Sequence, residues 1–391
     1  MLGRGDLLWV PVLGREACWG GRFGRAGGSG YTKAMPVADS LTVQVKQLAT
    51  EADFARAGVA PADRIQGGER FDRYLAAGYH AQMAYLAAHR AKRFAPAELV
   101  GGARSVLCLA VSYAPRADSA GRPAAEGFIA RYARGRDYHN ALAARCRRLM
   151  RRLAEVQGDF RGRAFVDSAP LNERGCALAA GLGSVGRNGC LIVPGLGSYV
   201  VLCEIVSNLP LVPATPAAAE AACSGCGACR AACPTGAIDA DGLVDANRCL
   251  SYLTIEHRGP IPAEWRPAVG GRLFGCDTCQ QACPQNRPIP GGDAELAPPR
   301  PPLAGLSLGG VLALSPGQWD EHTRGSAIRR PGHLGLVANA AVAAANLGRA
   351  DLAGPIEAAG RRMPELAETC KWALQRLADK THAVDSSAPG R

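Results

Sequence analysis

Apolar residues recur at three- and four-residue spacing along much of the chain, which is the period of an amphipathic helix. The spacing predicts a helical segment over residues 41–62, a helix pair over 69–93 and a long helix over 138–157, the last with a basic outer face. Apolar runs bounded by glycine or proline predict buried strands at 103–114 and 163–170, and glycine turns separate two further strand candidates within 181–206. Because helices and strands are mixed, the pattern predicts an α+β fold.

After residue 303 only the helical period is present. Alanine-rich inner faces recur over 333–348, 352–363 and 364–379. Short helices of this kind in succession are typical of repeats that stack like HEAT units. The pattern predicts a C-terminal domain of HEAT-like α-helical repeats over 300–391.

Proline-rich joints at 210–222 and 287–302 divide the rest of the chain. They predict a first domain over 36–215 and a cysteine-rich domain over 216–290.

The first 35 residues and the charge bear on location and partners. Residues 1–35 are rich in glycine and arginine and lack the apolar region of a signal peptide, so they are predicted to be a disordered extension, with Met35 as a candidate translation start. No apolar run is long enough to span a membrane, and the expected location is cytoplasmic. The formal net charge of +11 favours an anionic partner such as nucleic acid.

The chain contains fifteen cysteines, many of them closely spaced. Cys223, Cys226, Cys229 and Cys233 form the pattern C-x2-C-x2-C-x3-C, followed by Pro234. This is the run that holds 4Fe–4S clusters in bacterial ferredoxins. Zinc sites usually have two cysteine pairs separated by a longer loop, so the spacing favours iron–sulfur over zinc.

A second cysteine run is one ligand short, because Leu273 occupies the position of its first cysteine. In two-cluster ferredoxins the fourth cysteine of each run binds the other cluster. The rule assigns Cys223, Cys226, Cys229 and Cys283 to one 4Fe–4S cluster, and Cys233, Cys276 and Cys279 to a second, for which Cys249 is the predicted fourth ligand.

The remaining cysteines lie in apolar or helical contexts, where buried free thiols are expected. They are Cys18, Cys108, Cys146, Cys176, Cys190, Cys203 and Cys370.

Two other motifs do not support a further cofactor site. The stretch "GLGSVG" lacks the acidic partner of a dinucleotide site, and "DEHTRG", with His322, lacks the downstream signatures of a domain that ligates cobalamin through histidine.

Four blocks resemble the epoxyqueuosine reductase family: "RYARGRDYH", "VDSAPLNERGCALAAGLGSVGRNG", "CLSYLTIEHRGPIP" and "FGCDTCQQACPQN". The resemblance implies a nitroreductase-like α/β cobalamin-binding domain, a two-cluster ferredoxin-like domain and HEAT-like helices that help to hold tRNA. The implied reaction is the reduction of epoxyqueuosine to queuosine at the wobble position of tRNA. It implies cobalamin without an axial histidine, two 4Fe–4S clusters, an external electron donor and a monomeric protein.

The resemblance also implies the residues of the site. Asp167 is the implied proton donor, since an epoxide oxygen is costly to expel without protonation. A carboxylate at the end of an apolar strand can be desolvated, which would raise its pKa enough to carry a proton at neutral pH. The implied cobalamin-binding residues are Asp167, Ser251, Asp277, Arg131 and Asn188.

Further polar residues are assigned less specific roles. Tyr132, Asp137 and His139 are expected on the active-site side, and Glu173 and Arg174 are expected to be structural partners. The arginines of 143–152, with Arg329 and Arg330, are expected either to contact phosphates or to form a solvated face.

Two other functions remain open from the sequence. One is a cobalamin-dependent reductive dehalogenase-like enzyme, disfavoured by the missing export signal and by the C-terminal helices. The other is a non-catalytic electron-transfer or RNA-binding protein. Replacement of Asp167 by alanine would separate an enzyme from a carrier, because only an enzyme would lose turnover while keeping its clusters.

Overall fold

The computed structural model describes residues 37–115, 126–214, 223, 225–287, 289–298 and 306–385. The expected N-terminal extension and Met35 lie outside these residues. The helices are α1 (Val37–Glu51), α2 (Gly68–Ala76), α3 (Arg90–Phe94), α4 (Tyr138–Val156), α5 (Glu173–Ala179), α6 (Ala228–Ala231), α7 (Leu250–Ile255), α8 (Arg266–Val269), α9 (Thr278–Gln281), α10 (Leu308–Ala313), α11 (Pro316–Thr323), α12 (Gly332–Asn346), α13 (Ala353–Arg362) and α14 (Ala367–Asp385). The strands are β1 (Arg56–Pro61), β2 (Ser105–Ser112), β3 (Phe128–Ile129), β4 (Gly162–Phe165), β5 (Ser184–Val185), β6 (Leu191–Ile192), β7 (Val200–Ser207) and β8 (Arg272–Phe274).

A four-stranded antiparallel sheet with the order β1-β2-β7-β4 lies at the centre of the first segment. Helices cover both of its faces, so β2 is buried along its whole length. Leu107 and Leu109 contribute to the core that includes residues of α1 and α4, whereas Cys108 and Ala110 contribute to the core that includes residues of α5. The predicted strand at 103–114 and the mixed helix and sheet composition are confirmed.

The predicted helix over 41–62 is wrong beyond Glu51. Asp53 has a φ of 65°, a left-handed conformation that ends α1. The chain then forms β1, which pairs with β2 from Arg56↔Ala110 to Pro61↔Ser105. The apolar spacing continues across this turn, so the sequence period alone could not show that pairing with β2 replaces the helix.

The C-terminal helices share a core with the cysteine-rich segment. The buried cluster around α12 includes Ile129 of β3 and Phe274 of β8, two strands that pair in parallel. Asn339 on α12 donates hydrogen bonds to the carbonyl oxygens of Thr254 and Leu273, at 2.8 and 3.0 Å. These contacts hold the main chain just before Cys276 in place. None of the helices in the described part of the chain has the length and apolar character needed to cross a membrane.

A buried ion pair joins α4 to the chain that follows the cysteine-rich segment. Arg145 is 5 % exposed, and its guanidinium lies 2.9 Å from both carboxylate oxygens of Asp293 and 3.0 Å from Glu295. It also donates to the carbonyl oxygen of Asp53 at 3.0 Å. Arg145 is therefore not available to contact phosphates.

The centre of the sheet also contains a buried carboxyl group. Glu204 on β7 is fully buried opposite Cys108, and neither of its carboxylate oxygens has a hydrogen-bond partner among the described residues. Burial, reinforced by the neighbouring Glu173, raises the pKa of Glu204 well above its ordinary value. Burial without a hydrogen-bond partner therefore favours the neutral form of this carboxyl group in the folded protein.

Replacing Glu204 with methionine should stabilise the protein, and more so at alkaline pH. The unfolded chain releases the Glu204 proton above its ordinary pKa while the folded protein keeps it, so this residue lowers stability as pH rises, by up to about 1.4 kcal/mol per pH unit. In thermal unfolding of the cluster-loaded protein, the Tm of Glu204→Met should exceed that of the wild type by several degrees at pH 8.5 and by less at pH 6. Glu204→Gln is the matched control that removes only the titration. Identical pH dependence of Tm in all three proteins would contradict the prediction.

Candidate active site

A cavity of about 440 Å³ lies between the end of the central sheet and the cysteine-rich segment. Four of the residues implied as cofactor contacts line it together: Asp167, Asn188, Ser251 and Asp277. The fifth, Arg131, does not line the cavity but contacts Asp277 from behind. The structure thus brings residues more than a hundred positions apart in sequence to one site.

The cysteines fall into two spatial groups. Cys233, Cys249, Cys276 and Cys279 line the same cavity. Cys249 reaches it because it lies directly before α7, a helix that packs on β8. In the other group, Cys283 interacts electrostatically with Cys226 and Cys223, and Cys229 interacts with Cys223 and Cys283; both also interact with Cys279 of the first group. The cavity brings together the four thiols that the ferredoxin rule assigns to the second cluster, Cys249 among them.

The spacing of these thiols differs from that of a single-ion site. In the described part of the chain, no three His, Cys, Asp or Glu side chains converge on one point as a single metal ion would require. A 4Fe–4S cluster does not require such convergence, because its thiolates bind different corners of the cubane.

Asp167 lies in the loop that follows β4 and faces the cavity. Its φ of 49° is in the left-handed region, which is strained for a residue other than glycine. The Tyr138 hydroxyl donates to its Oδ2 at 2.6 Å, and His139 Nε2 lies 3.7 Å from the same oxygen. The Asp167 main-chain N–H donates to Glu173 Oε1 at 2.7 Å. These contacts hold the carboxylate toward the cavity.

The expectation of a raised pKa for Asp167 is wrong. Although the loss of water works in the opposite direction, His139 and Tyr138 together hold the pKa of Asp167 below its ordinary range. The neighbouring groups carry the protons instead. Burial opposes protonation of His139, but Asp137 and Asp167 raise its pKa to about 9. Burial and the Asp167 carboxylate raise the pKa of Glu173 to about 8.

Asp277 is held between the sheet and the second cysteine run. It is 2 % exposed, and burial raises its pKa. Its Oδ2 accepts a hydrogen bond from the Arg131 main-chain N–H at 2.9 Å and lies 3.6 Å from the guanidinium. The same guanidinium donates to the Tyr199 hydroxyl at 3.0 Å. Arg131 therefore fixes Asp277, which lies between Cys276 and Cys279.

Asn188 presents an unpaired donor at the cavity wall. The side chain is 8 % exposed, and its Oδ1 accepts a hydrogen bond from the Cys190 N–H at 3.2 Å. Its Nδ2 has no hydrogen-bond partner among the residues that the structure describes. A buried amide N–H₂ without a partner is costly, and a ligand in the cavity could supply the acceptor.

Cys190 does not lie where its sequence context predicts. Five of the expected buried thiols are buried, namely Cys108, Cys146, Cys176, Cys203 and Cys370, and Cys18 lies outside the described residues. Cys190 is only partly buried, lines the cavity and contacts Cys279. No spacing signal marks it, since its nearest cysteine in the sequence is more than ten positions away.

Other residues were also assigned incompletely from the sequence. Tyr132 lines the cavity, as expected of the active-site side, but so do Glu173 and Arg174, which were expected only to be structural. Tyr138, to which sequence analysis gave no role, contacts Asp167 directly. Because Tyr138 is the first residue of an amphipathic helix, its sequence context does not distinguish it from a residue of the helix core.

Some of the arginines that were expected to contact phosphates are paired with carboxylates of this chain instead. Arg329 pairs with Asp320 at 2.7 Å and Arg330 with Glu256 at 2.7 Å. Among the arginines of α4, the exposed ones are Arg147, Arg148 and Arg151.

A double cysteine run beside a cavity lined by carboxylates and tyrosines is typical of an iron–sulfur oxidoreductase. The family model "4Fe-4S double cluster binding domain" matches residues 222–286, so the cysteine-rich segment is a two-cluster domain. The model "Epoxyqueuosine reductase QueG, DUF1730" matches residues 93–168, which include Asp167.

Relatives along nearly the whole chain give the same family. The epoxyqueuosine reductase of Pseudomonas aeruginosa is 38% identical over 360 residues, covering 87% of this chain and 98% of the relative. That of Escherichia coli K12 is 36% identical, covering 88% and 92%. The chain belongs to the epoxyqueuosine reductase family and is an oxidoreductase.

Solved structures agree with the fold. A crystal structure of epoxyqueuosine reductase with an epoxyqueuosine-modified tRNA-Tyr stem loop superposes with a TM-score of 0.80 at 29% identity, covering 88% of this chain and 92% of that one. A Bacillus subtilis epoxyqueuosine reductase, described with its catalytic aspartate loop swung out of the active site, gives 0.79 at 29% identity, covering 86% and 90%.

Proposed function

We propose that this protein reduces epoxyqueuosine to queuosine in tRNA, in the cavity between the central sheet and the cysteine-rich segment. One observation carries the proposal: Asp167 faces the same cavity as Cys233, Cys249, Cys276 and Cys279. A proton donor and a source of electrons thus face one space, which is what reductive removal of an epoxide oxygen requires. Asp167 donates protons to the departing oxygen.

The cavity residues fit cobalamin. Cobalamin has a broad ring system with amide side chains at its rim. The unpaired Asn188 Nδ2 offers a donor to such an amide, and Leu191, Val200, Leu202, Ile238, Val244 and Leu250 provide apolar walls. Bound cobalamin would supply a cobalt centre that takes up single electrons and reduces the epoxide carbon. Asn188, Ser251 and Asp277 would hold it, with Arg131 positioning Asp277 and Asp167 facing the substrate.

The proposed cluster ligands are those that the ferredoxin spacing assigns, and the shared cavity lining supports the second set. Cys223, Cys226, Cys229 and Cys283 bind the first 4Fe–4S cluster, and Cys233, Cys249, Cys276 and Cys279 bind the second. The second cluster therefore forms one wall of the cavity. An external donor delivers electrons by way of the first cluster.

Three domains carry these functions. Residues 36–215 form a nitroreductase-like cobalamin-binding domain, 216–290 a ferredoxin-like domain and 300–391 a HEAT-like helical domain. The helix-covered sheet supports the first assignment, and the successive packing of α10, α12, α13 and α14 supports the last. The protein acts as a cytoplasmic monomer. The stem loop bound in a related structure supports a tRNA partner, which suits the net charge of +11.

Complementation tests the proposed function in cells. In a strain that lacks its own epoxyqueuosine reductase, expression of the wild-type protein should convert tRNA epoxyqueuosine to queuosine, as measured by nucleoside mass spectrometry. Expression of Asp167→Ala at the same level should leave epoxyqueuosine in the tRNA. If the wild-type protein accumulates with both clusters and epoxyqueuosine persists, the proposal fails.

A further inference from the structure

The reaction requires more protons than one carboxyl group can store. Removing an epoxide oxygen as water and leaving a carbon–carbon double bond breaks two C–O bonds and consumes two electrons and two protons. Both protons are added to the same oxygen. Asp167 faces this position, but its interactions with His139 and Tyr138 favour the ionised carboxylate. Each turnover therefore needs two protons delivered to Asp167, by a neighbouring group or by solvent.

Asp137, His139 and Asp167 form a continuous line of ionisable side chains. Asp137 is the N-cap of α4, and its Oδ1 accepts from the His139 main-chain N–H at 3.0 Å. The same oxygen lies 2.7 Å from His139 Nδ1, which fixes the ring so that Nε2 is directed toward Asp167 Oδ2, 3.7 Å away. The ring also stacks on Tyr138, with centroids 4.0 Å apart. A carboxylate that binds one ring nitrogen leaves the other free to exchange a proton.

His139 has access to water as well as to Asp167. Its side chain is 40 % exposed and that of Asp167 is 59 % exposed, and the imidazole is not part of the cavity lining. A proton can therefore enter from solvent at His139 without passing through the cavity. Glu173 is less well placed for this task, because it accepts a hydrogen bond from the Asp167 main-chain N–H and does not bond to the Asp167 carboxylate.

We propose that His139 is a positioning residue that delivers both protons of each turnover to Asp167. The inference rests on the proposed function. In each of two rounds, imidazolium Nε2–H passes its proton to Asp167 Oδ2, and Asp167 passes it to the substrate oxygen as a C–O bond breaks. Solvent then reprotonates His139. The two electrons come from the external donor through the clusters, so one epoxide, two electrons and two protons give one alkene and one water.

The pH profile follows from the groups around His139. The carboxylates of Asp137 and Asp167 face the imidazole ring, and Tyr138 stacks on it. Glu173 and Arg330 interact electrostatically with the Asp167 carboxylate. Since the two carboxylates raise the pKa of His139 to about 9, the imidazolium is present at neutral pH and is lost as pH rises through 9. Wild-type turnover should therefore fall above about pH 9, and in Asp137→Asn the fall should begin at lower pH.

The test combines variants with chemical rescue in cluster- and cobalamin-loaded protein. His139→Ala should lower steady-state turnover at least tenfold, and added imidazole should restore part of the rate in proportion to the imidazolium fraction. His89→Asn, at an exposed histidine with left-handed φ, is the control and should keep its rate without an imidazole effect. In the wild type, ¹³C NMR of labelled histidine should show one ring that titrates near pH 9 and is shifted in Asp137→Asn.

The outcomes separate the two proposals. If the wild type converts epoxyqueuosine and His139→Ala has the same rate and pH profile, the relay is wrong and the proposed function stands. A slow His139→Ala variant with intact cluster spectra but no imidazole rescue would likewise overturn the relay in favour of a purely structural histidine. If the wild type itself converts no substrate, the proposed function fails.

Discussion

Asp167→Asn should lower turnover of epoxyqueuosine by at least about a hundredfold while both clusters remain intact. General acid catalysis typically contributes about 10²–10⁴-fold, and the amide cannot carry the transferred proton. Asparagine has nearly the same shape and can still accept the hydrogen bond from Tyr138. It also tolerates the left-handed φ of 49° better than most residues. A loss of turnover in Asp167→Asn therefore reflects the missing transferable proton and not a distorted loop.

Single-turnover kinetics and electronic spectra of the same sample would measure this effect. The matched control is Asp159→Asn, which removes an exposed carboxylate in the loop before β4 and should leave the rate unchanged. If Asp167→Asn converts substrate at the wild-type rate, Asp167 is not the proton donor, and the arrangement of Tyr138 and His139 around it needs another explanation.

Cys249→Ala should remove the second cluster and abolish turnover. A 4Fe–4S cluster needs four thiolates, and Leu273 occupies the position where the second run lacks its first cysteine. Iron content should fall from about eight to about four atoms per chain, one cluster's share. Because Cys249 lines the cavity with Cys233, Cys276 and Cys279, electrons would no longer reach the site.

Two further variants make this prediction specific. Cys370→Ala, at a buried thiol on α14, should keep full iron content and is the control. Cys190→Ala should also keep its iron, although Cys190 contacts Cys279 at the cavity wall. Full iron in Cys249→Ala combined with a loss in Cys190→Ala would give the fourth ligand position to Cys190.

Regular periods and strict spacings in the sequence predicted the corresponding parts of the fold. The apolar run of β2, the long helix α4 and the C-terminal helices follow from local patterns, and the structure contains each of them. Ferredoxin spacing predicted the two-cluster segment, which the family comparison confirms. The vacancy at Leu273 pointed to Cys249, and the structure places that thiol with its predicted partners.

Features that depend on distant partners could not be predicted in the same way. β1 replaces a helix because β2, about 50 residues later, pairs with it. The pKa of Asp167 is lowered because α4 brings Tyr138 and His139 to its carboxylate. The sequence pattern predicts that Arg145 lies on the basic outer face of a helix, but in the structure it is buried in an ion pair with Asp293. In each case the local sequence is compatible with two environments, and the tertiary contact decides between them.

We propose that this protein removes the epoxide oxygen of epoxyqueuosine at a site that joins Asp167 to the second cluster. The most direct measurement incubates the purified, cluster-loaded protein with cobalamin, a reductant and tRNA from cells lacking epoxyqueuosine reductase, followed by nucleoside mass spectrometry. Queuosine should replace epoxyqueuosine, the conversion should require cobalamin, and Asp167→Asn should stop it. Unchanged epoxyqueuosine with the fully loaded wild-type protein would rule out this reaction.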